Sequence, residues 1–400
     1  MMHDFQLYHP TRVLFGEGQQ QPFFDRLAIL SKNWVVITGG SSVDRNGTYA
    51  LVESSLSSRG LNVVRFSGVR PNPDVTDVNR AVKLALENGC TGVLALGGGS
   101  VMDAAKIAAL GIALSDTDLW PVVTLRKRTP ATFQMIPLAC IPTTAGTASE
   151  VTPYAVISNR LERDKRTFSH EWVHPQVSWL NPAFTVGVPP AVTAETSADI
   201  LSHVLENYVL GGSDAALADA YCEAVMKTVM TNLPLAYEDG ADLAARGSLM
   251  LASNWALNGF QGLGRRPAPF ILHAIEHVMS AWKPELAHGR GLSTLFPAYF
   301  HWLLEHHRAE TRLSRLSTVF FDMPGATFDA RRMVVEFNKW LHRYGLGYSM
   351  ENLGFTKDMY RPMAEQVFAQ FRRSEIDLLG PFTADNVIEI FELTRFQHIG

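Results

Sequence analysis

Cysteine is scarce in this 400-residue chain, which carries only Cys90, Cys140 and Cys222. Three scattered thiols exclude a disulfide framework and a cysteine-based zinc site. They read as small core residues in a reducing compartment. An excess of one charge is also missing. With 35 basic against 39 acidic side chains the net charge is −4, so no surface for tracking phosphates or binding an anionic membrane is expected. Nucleic acid and membrane are therefore excluded as partners. The longest apolar-looking region, residues 92–114, is interrupted by Asp103 and Lys106 and cannot sit across a bilayer. Residues 1–18 hold His3, Asp4, His9 and Arg12 and lack the basic flank and apolar stretch of a secretory signal, which points to a cytoplasmic protein.

What is present is core-forming material, with 46% apolar and 18% charged residues. That balance excludes a disordered chain, and 400 residues exceed what one hydrophobic core usually organises. Two domains are expected. From residue 33 to 96, β-branched runs alternate with helical stretches, the rhythm of parallel strands joined by crossover helices. Strands are expected at 34–37, 62–66, 92–96 and 136–141, with Asp74 capping a helix that runs to about residue 88. Pro189-Pro190 marks the boundary. Beyond it, helical periodicity dominates at 193–209, 215–230, 241–257, 269–280 and 333–343. The expected fold is an α/β Rossmann-like domain over 1–188 followed by an all-α domain over 189–400.

Gly97-Gly98-Gly99-Ser100 begins where a strand ends and runs directly into a helix-forming sequence through Asp103 and Lys106. Residues without a Cβ let backbone N–H groups approach a pyrophosphate, and the following helix presents its positive end to the charge. A triglycine alone is more often a plain turn; the strand before it and the helix after it favour the phosphate reading. The spacing is neither a Walker loop nor the GxGxxG fingerprint. Thr143-Thr144-Ala145-Gly146-Thr147 offers hydroxyls at another strand end, equally consistent with an ordinary loop and with a ribose or phosphate contact.

Asp199 and His203 are four apart in a helical pattern, so both leave one face about one turn apart. His273 and His277 repeat the spacing, and His288 follows in what reads as a loop beside Gly289. Imidazoles plus one carboxylate suit Zn2+, Fe2+ or a similar divalent ion. On spacing alone, a metal site and incidental pairing remain equally open. His301 with His306-His307 reads as an exposed helix end. Tyr154, Trp255, Phe260 and Phe270 read as core packing sooner than as a pocket lining.

Taken together, these motifs resemble the iron-containing (group III) alcohol dehydrogenases, on their NADPH-dependent aldehyde reductase/butanol dehydrogenase branch. The resemblance covers nearly the whole chain. It runs through Tyr8-His9-Pro10-Thr11-Arg12-Val13-Leu14-Phe15-Gly16, Pro71-Asn72-Pro73, the loop from Gly97, the loop from Thr143, Pro189-Pro190, Asp199-x-x-x-His203-x-x-Glu206, His273-x-x-x-His277 and His288-Gly289. It implies a dehydroquinate synthase-like architecture and a homodimer. It also implies metal ligands at Asp199, His203, His273 and His288, with His277 as an unligated proton relay. Cofactor contacts are implied at Gly97, Gly98, Gly99, Ser100, Asp103, Thr143, Thr144, Thr147 and Lys165, with Asn72 beside them.

The implied activity is NAD(P)H-linked interconversion of aliphatic aldehydes and primary alcohols at a divalent metal, Fe2+ or Zn2+. Gly39, Gly40, Ser41 and Ser42 form the turn after the first strand, which lacks the aspartate that NAD-preferring relatives set against the ribose 2′-hydroxyl. NADP(H) is therefore expected over NAD(H). One departure stands out, at Val278-Met279-Ser280, where the stretch toward His288 is a residue longer than the family pattern. Competing readings are a glycerol dehydrogenase-like or dehydroquinate synthase-like enzyme, disfavoured by the four-donor set, and a non-catalytic nucleotide sensor.

Overall fold

The protein was analysed as a computed structural model that describes residues 2–127, 129, 133–211, 215–266, 268–322 and 329–395. Its chain clusters into an α/β unit, Tyr8–Val188 with Gly240–Asn254, and a helical unit, Met1–Leu7 with Pro189–Asp239 and Trp255–Gly400. Residues 1–7 and 240–254 thus each group with the unit on the other side of the expected cut at 188/189.

The α/β unit is built on strands β1 (Arg12–Phe15), β2 (Asn33–Thr38), β3 (Asn62–Phe66), β4 (Gly92–Gly97), β5 (Leu138–Pro142) and, past a hairpin of β6 (Tyr154–Asn159) and β7 (Asp164–Ser169), β8 (Val177–Leu180). The six-stranded sheet has the order β1-β8-β5-β4-β2-β3, and every pairing in it is parallel. A parallel sheet is covered on both faces, and its central strands are therefore apolar at every position. Alternation then sorts the side chains. Val35, Ile37, Val93, Ala95 and Cys140 join one core, while Trp34, Val36, Leu94, Leu96 and Ile141 join the other, as the two-residue period of a strand requires.

Connecting helices are α1 (Gln20–Leu30), α2 (Ser42–Arg45), α3 (Thr48–Ser57), α4 (Val75–Glu87), α5 (Gly99–Leu114) and α6 (Trp120–Val123). Asp74 caps α4 by accepting from the Thr76 N–H, as the sequence suggests. The 240–254 segment is tied in by buried Arg246, which donates to the carbonyls of Val188 and Gly240 at 3.0 and 3.1 Å. Asn254 adds a 3.1 Å bond to the Glu150 carboxylate.

The helical unit comprises α7 (Pro190–Leu210), α8 (Ala216–Glu238), the end of α9 (Leu243–Ala256), α10 (Ile271–Trp282), α11 (His288–Glu305), α12 (Glu310–Phe321), α13 (Ala330–Arg343), α14 (Lys357–Phe371) and α15 (Ala384–Leu393). α7 starts with Pro190 at its first helical position, where the missing N–H costs nothing. Nearly all of α7 from Thr193 on is buried, so it is the central helix of this unit. One expectation is corrected here. His288 is the first residue of α11 and does not lie in a loop. Gly289, Gly291 and Pro297 all lie inside that helix, buried. Tyr154 and Trp255 are exposed, at 39% and 50%, and so are not core residues. No described helix is long and apolar enough to cross a membrane.

Candidate metal centre and cofactor loops

Three helices of the helical unit carry the candidate donors. Asp199 and His203 sit one turn apart on α7, both buried, while His273 and His277 sit one turn apart on α10 and His288 opens α11. Their side chains converge on one atom. The Nε2 atoms of His203, His273 and His288 stand 3.6, 3.8 and 3.6 Å from Asp199 Oδ1. The donor atoms of Asp199, His273 and His288 all lie within 4.8 Å of one another, and His203 stacks on His273 with ring centroids 4.9 Å apart.

These separations exceed hydrogen-bond length, and Asp199 Oδ1 is buried without a hydrogen-bond partner among the described residues. A buried carboxylate oxygen left so costs several kcal/mol unless a cation meets it. For donor bonds of about 2.0–2.2 Å in a tetrahedral set, donors stand roughly 3.3–3.6 Å apart. Asp199, His273 and His288 therefore offer donors of the chemistry, and close to the spacing, that a divalent ion draws together, whereas His203, 3.6 Å from Asp199 Oδ1, stands outside that mutually close group. Burial opposes the charge on Asp199, but the imidazoles around it, His203 and His288 foremost, outweigh burial and hold its pKa well below the carboxylate range. Burial also brings His203 down to about 3, against the pull of Asp199, so its ring is a neutral donor at ordinary pH.

Gly289 explains the tight docking of the first turn of α11. A Cβ on it would fall 1.8 Å from the Glu195 carbonyl oxygen of α7, so only glycine fits where the two backbones meet. Phe270, at the start of α10, sets its ring edge-on to His273 at 5.3 Å. His277 is buried beside the same cluster, its ring centroid 5.6 Å from that of His288. Val278, Met279 and Ser280 are buried within α10. Glu276, which the sequence reading passed over, accepts a hydrogen bond from His288 Nδ1. Its signal was the single carboxylate on α10, between His273 and His277.

In the α/β unit the candidate cofactor residues gather at strand ends. β5, β4 and β2 are consecutive neighbours, and the Thr143 loop, the Gly97 loop and the Gly39 turn follow their carboxyl ends. From β2 the chain moves outward to β3 and then crosses back to β4. That reversal is the switch point where open α/β sheets bind nucleotides. A Cβ on Gly98 would meet Thr144 Oγ1 at 2.8 Å, and one on Gly99 would meet Thr147 Cγ2 at 2.4 Å. The two loops that the sequence left as separate motifs are thus in contact. α5 begins at Gly99 with no side chain capping it, which leaves its positive end for an anion.

Asn72 lies in the left-handed region at φ 51° and accepts from Lys165 Nζ at 2.9 Å, both side chains buried. Asp103 has a structural task. Its two carboxylate oxygens accept from Ser149 Oγ at 2.6 Å and from the Val156 N–H at 2.9 Å. Burial raises its pKa, with Lys106 acting in the opposite sense. One turn on, fully buried Lys106 donates to the Thr152 and Tyr154 carbonyls at 2.9 and 2.6 Å. Together they fasten α5 to the segment after the threonine loop. Gly40, Ser41 and Ser42 are exposed.

Comparison with known proteins agrees with this architecture. The sequence model for iron-containing alcohol dehydrogenase matches residues 10–182, and that for the C-terminal part of the Fe-containing alcohol dehydrogenase family matches residues 193–394. NADH-dependent butanol dehydrogenase A of Clostridium acetobutylicum is 32% identical over 393 residues, covering 98% of this chain and 99% of its own. The NADPH-dependent aldehyde reductase YqhD of Escherichia coli is 33% identical over 311 residues, 77% of this chain and 78% of its own. Among solved structures, NADH-dependent butanol dehydrogenase A of Thermotoga maritima superimposes with a TM-score of 0.89 at 28% identity, covering 98% of this chain and 99% of that one.

Proposed function

From the premise that the chain belongs to the iron-containing alcohol dehydrogenase family, and so is an NAD(P)H-linked alcohol dehydrogenase/aldehyde reductase, we propose that it reduces aliphatic aldehydes to primary alcohols reversibly, with NADP(H) as preferred coenzyme. The observation that carries the reading is the convergence of three imidazole Nε2 atoms on one buried carboxylate oxygen that has no hydrogen-bond partner among the described residues.

Asp199, His203, His273 and His288 would hold the ion. Once bound, a divalent metal polarises a carbonyl oxygen, and the nicotinamide supplies a hydride to the carbonyl carbon. Asp199 contributes the negative charge that favours a dication, and the imidazole Nε2 atoms would contribute lone pairs, His273 giving up the proton that its carboxylate neighbours otherwise hold on it. His277, beside this set without belonging to it, holds at its ring nitrogen the proton that the product alcohol's oxygen requires. Phe270, edge-on to His273, sets an apolar ring beside the donor set. Identical donors accept Fe2+ and Zn2+, so the ion is the one the cell supplies.

On the coenzyme side, the glycine loop and the start of α5 would receive the pyrophosphate, with Ser100, Thr143, Thr144 and Thr147 donating around it. Lys165, set by Asn72, is assigned to the ribose next to the nicotinamide. The preference for NADP(H) is supported by the turn at 39–42, which holds no carboxylate. The nearest acid, Asp44, is matched by a two-pronged Arg65 at 2.6 and 2.8 Å, and Arg45 reaches Ser41 Oγ. A 2′-phosphate meets guanidinium and hydroxyl groups there in place of an unpaired acid. A homodimer in the cytoplasm completes the reading, consistent with three unpaired, buried cysteines. The test is steady-state oxidation of NADPH and of NADH with butyraldehyde by metal-replete protein. Activity with NADPH at the higher kcat/KM supports the proposal, and no turnover with a panel of aldehydes refutes it.

A further inference from the structure

Two carboxylates lie behind the donor set. Glu206 is 2% exposed and Glu276 is fully buried. Glu206, on α7, accepts from the backbone N–H of Leu272 at 2.7 Å and from that of His273 at 3.3 Å. It also accepts from His273 Nδ1 at 2.5 Å. One side chain thus caps the first turn of α10 and grips the ring that projects from that turn. Glu276, on α10, accepts from His288 Nδ1 on α11. Each helix that bears a donor is keyed to the next by a carboxylate–imidazole bond, α7 to α10 and α10 to α11.

An imidazole that donates from Nδ1 keeps its lone pair on Nε2, and its ring is fixed in direction by the bond. In both residues that Nε2 is the atom facing Asp199 Oδ1. We propose that Glu206 and Glu276 are positioning residues that select the Nε2 donors of His273 and His288 and aim them at the metal. The proposal rests on the metal-centre reading above. A carboxylate that only completed the helix cap would have no reason to engage the ring as well, and Glu276 caps no helix through His288. Glycine at 291 keeps the space: a Cβ there would fall 2.7 Å from Glu276 Cγ.

The experiment is titration of chelator-stripped protein with Co2+, followed by its visible absorption bands, for wild type, Glu206→Gln and Glu276→Gln. Glutamine keeps the shape and an acceptor oxygen but removes the charge. Either substitution is expected to raise the Co2+ Kd by about 10–100-fold, with circular dichroism and NADPH binding unchanged. Should a Gln variant not fold, the Asp variant replaces it under the same criterion. A shift below about fivefold, or a lower melting temperature of the metal-free protein without a change in Kd, overturns the proposal. Wild-type protein that takes up no Co2+ refutes the metal centre itself, whereas wild-type uptake with unshifted variants refutes the carboxylate role alone.

Discussion

Gly289 leaves the least room of any residue near the imidazoles. The atom that a Cβ would strike is the Glu195 backbone oxygen, 1.8 Å away, and a backbone oxygen cannot rotate aside as a side chain can. Gly289→Ala is expected to cost about 1–3 kcal/mol through forced displacement of the α11 turn. Because His288 rides on that turn, metal content should fall with the melting temperature; thermal melts and elemental analysis together check it. His203 differs from the other two imidazoles, since its Nδ1 is buried with no hydrogen-bond partner among the described residues. His203→Ala should therefore raise the Co2+ Kd less than His273→Ala does, by about a factor of ten. In the α/β unit, His174 stacks edge-on against Tyr8 and burial brings its pKa from 6.5 to about 4, against a bond to the Val151 carbonyl. The unfolded chain takes up that proton first, so stability is lost as pH falls from about 6.5 toward 4. Melting temperatures across this range should flatten in His174→Asn.

Elements bring residues far apart in sequence to one edge of the sheet. The glycine loop and the threonine loop meet because β4 and β5 are parallel neighbours, with Gly97 opposite Pro142. Gly99→Ala would push its Cβ into Thr147, a strain of about 1–3 kcal/mol. Expressed on the coenzyme alone, that is a Kd raised by roughly tenfold, with metal content untouched. Fluorescence titration with NADPH measures the first and elemental analysis the second. Much at this scale was legible in the sequence. The central strands are continuous apolar runs, and the segment 193–209 has the helical period that emerges as α7. α11 was not legible, because two glycines and Pro297 mask a helix whose small residues serve close packing. The β6–β7 hairpin was missed as well, since its strands are only partly buried and carry a weak apolar pattern. Spacing alone left the candidate donors open and the family resemblance singled them out, but the bonds from Glu206 and Glu276 depend on helices meeting in three dimensions.

On the scale of the molecule, chemistry is divided between two units. In the proposed reading the α/β unit holds the dinucleotide and the helical unit holds the metal. Each should fail independently. Removing metal with a chelator is expected to abolish aldehyde reduction while leaving NADPH affinity within about twofold, and Fe2+ or Zn2+ should restore turnover. Isothermal calorimetry on stripped protein and an activity assay after metal addition check the two halves. With saturating coenzyme, the KM for the aldehyde is expected to depend little on salt, since the carbonyl substrate carries no charge. The most direct measurement of all is metal content coupled to turnover in wild type and Asp199→Ala. The account predicts Fe or Zn in wild type, and loss of both metal and aldehyde-dependent NADPH oxidation in the variant, with NADPH binding retained. A variant that kept its metal and its activity would contradict it.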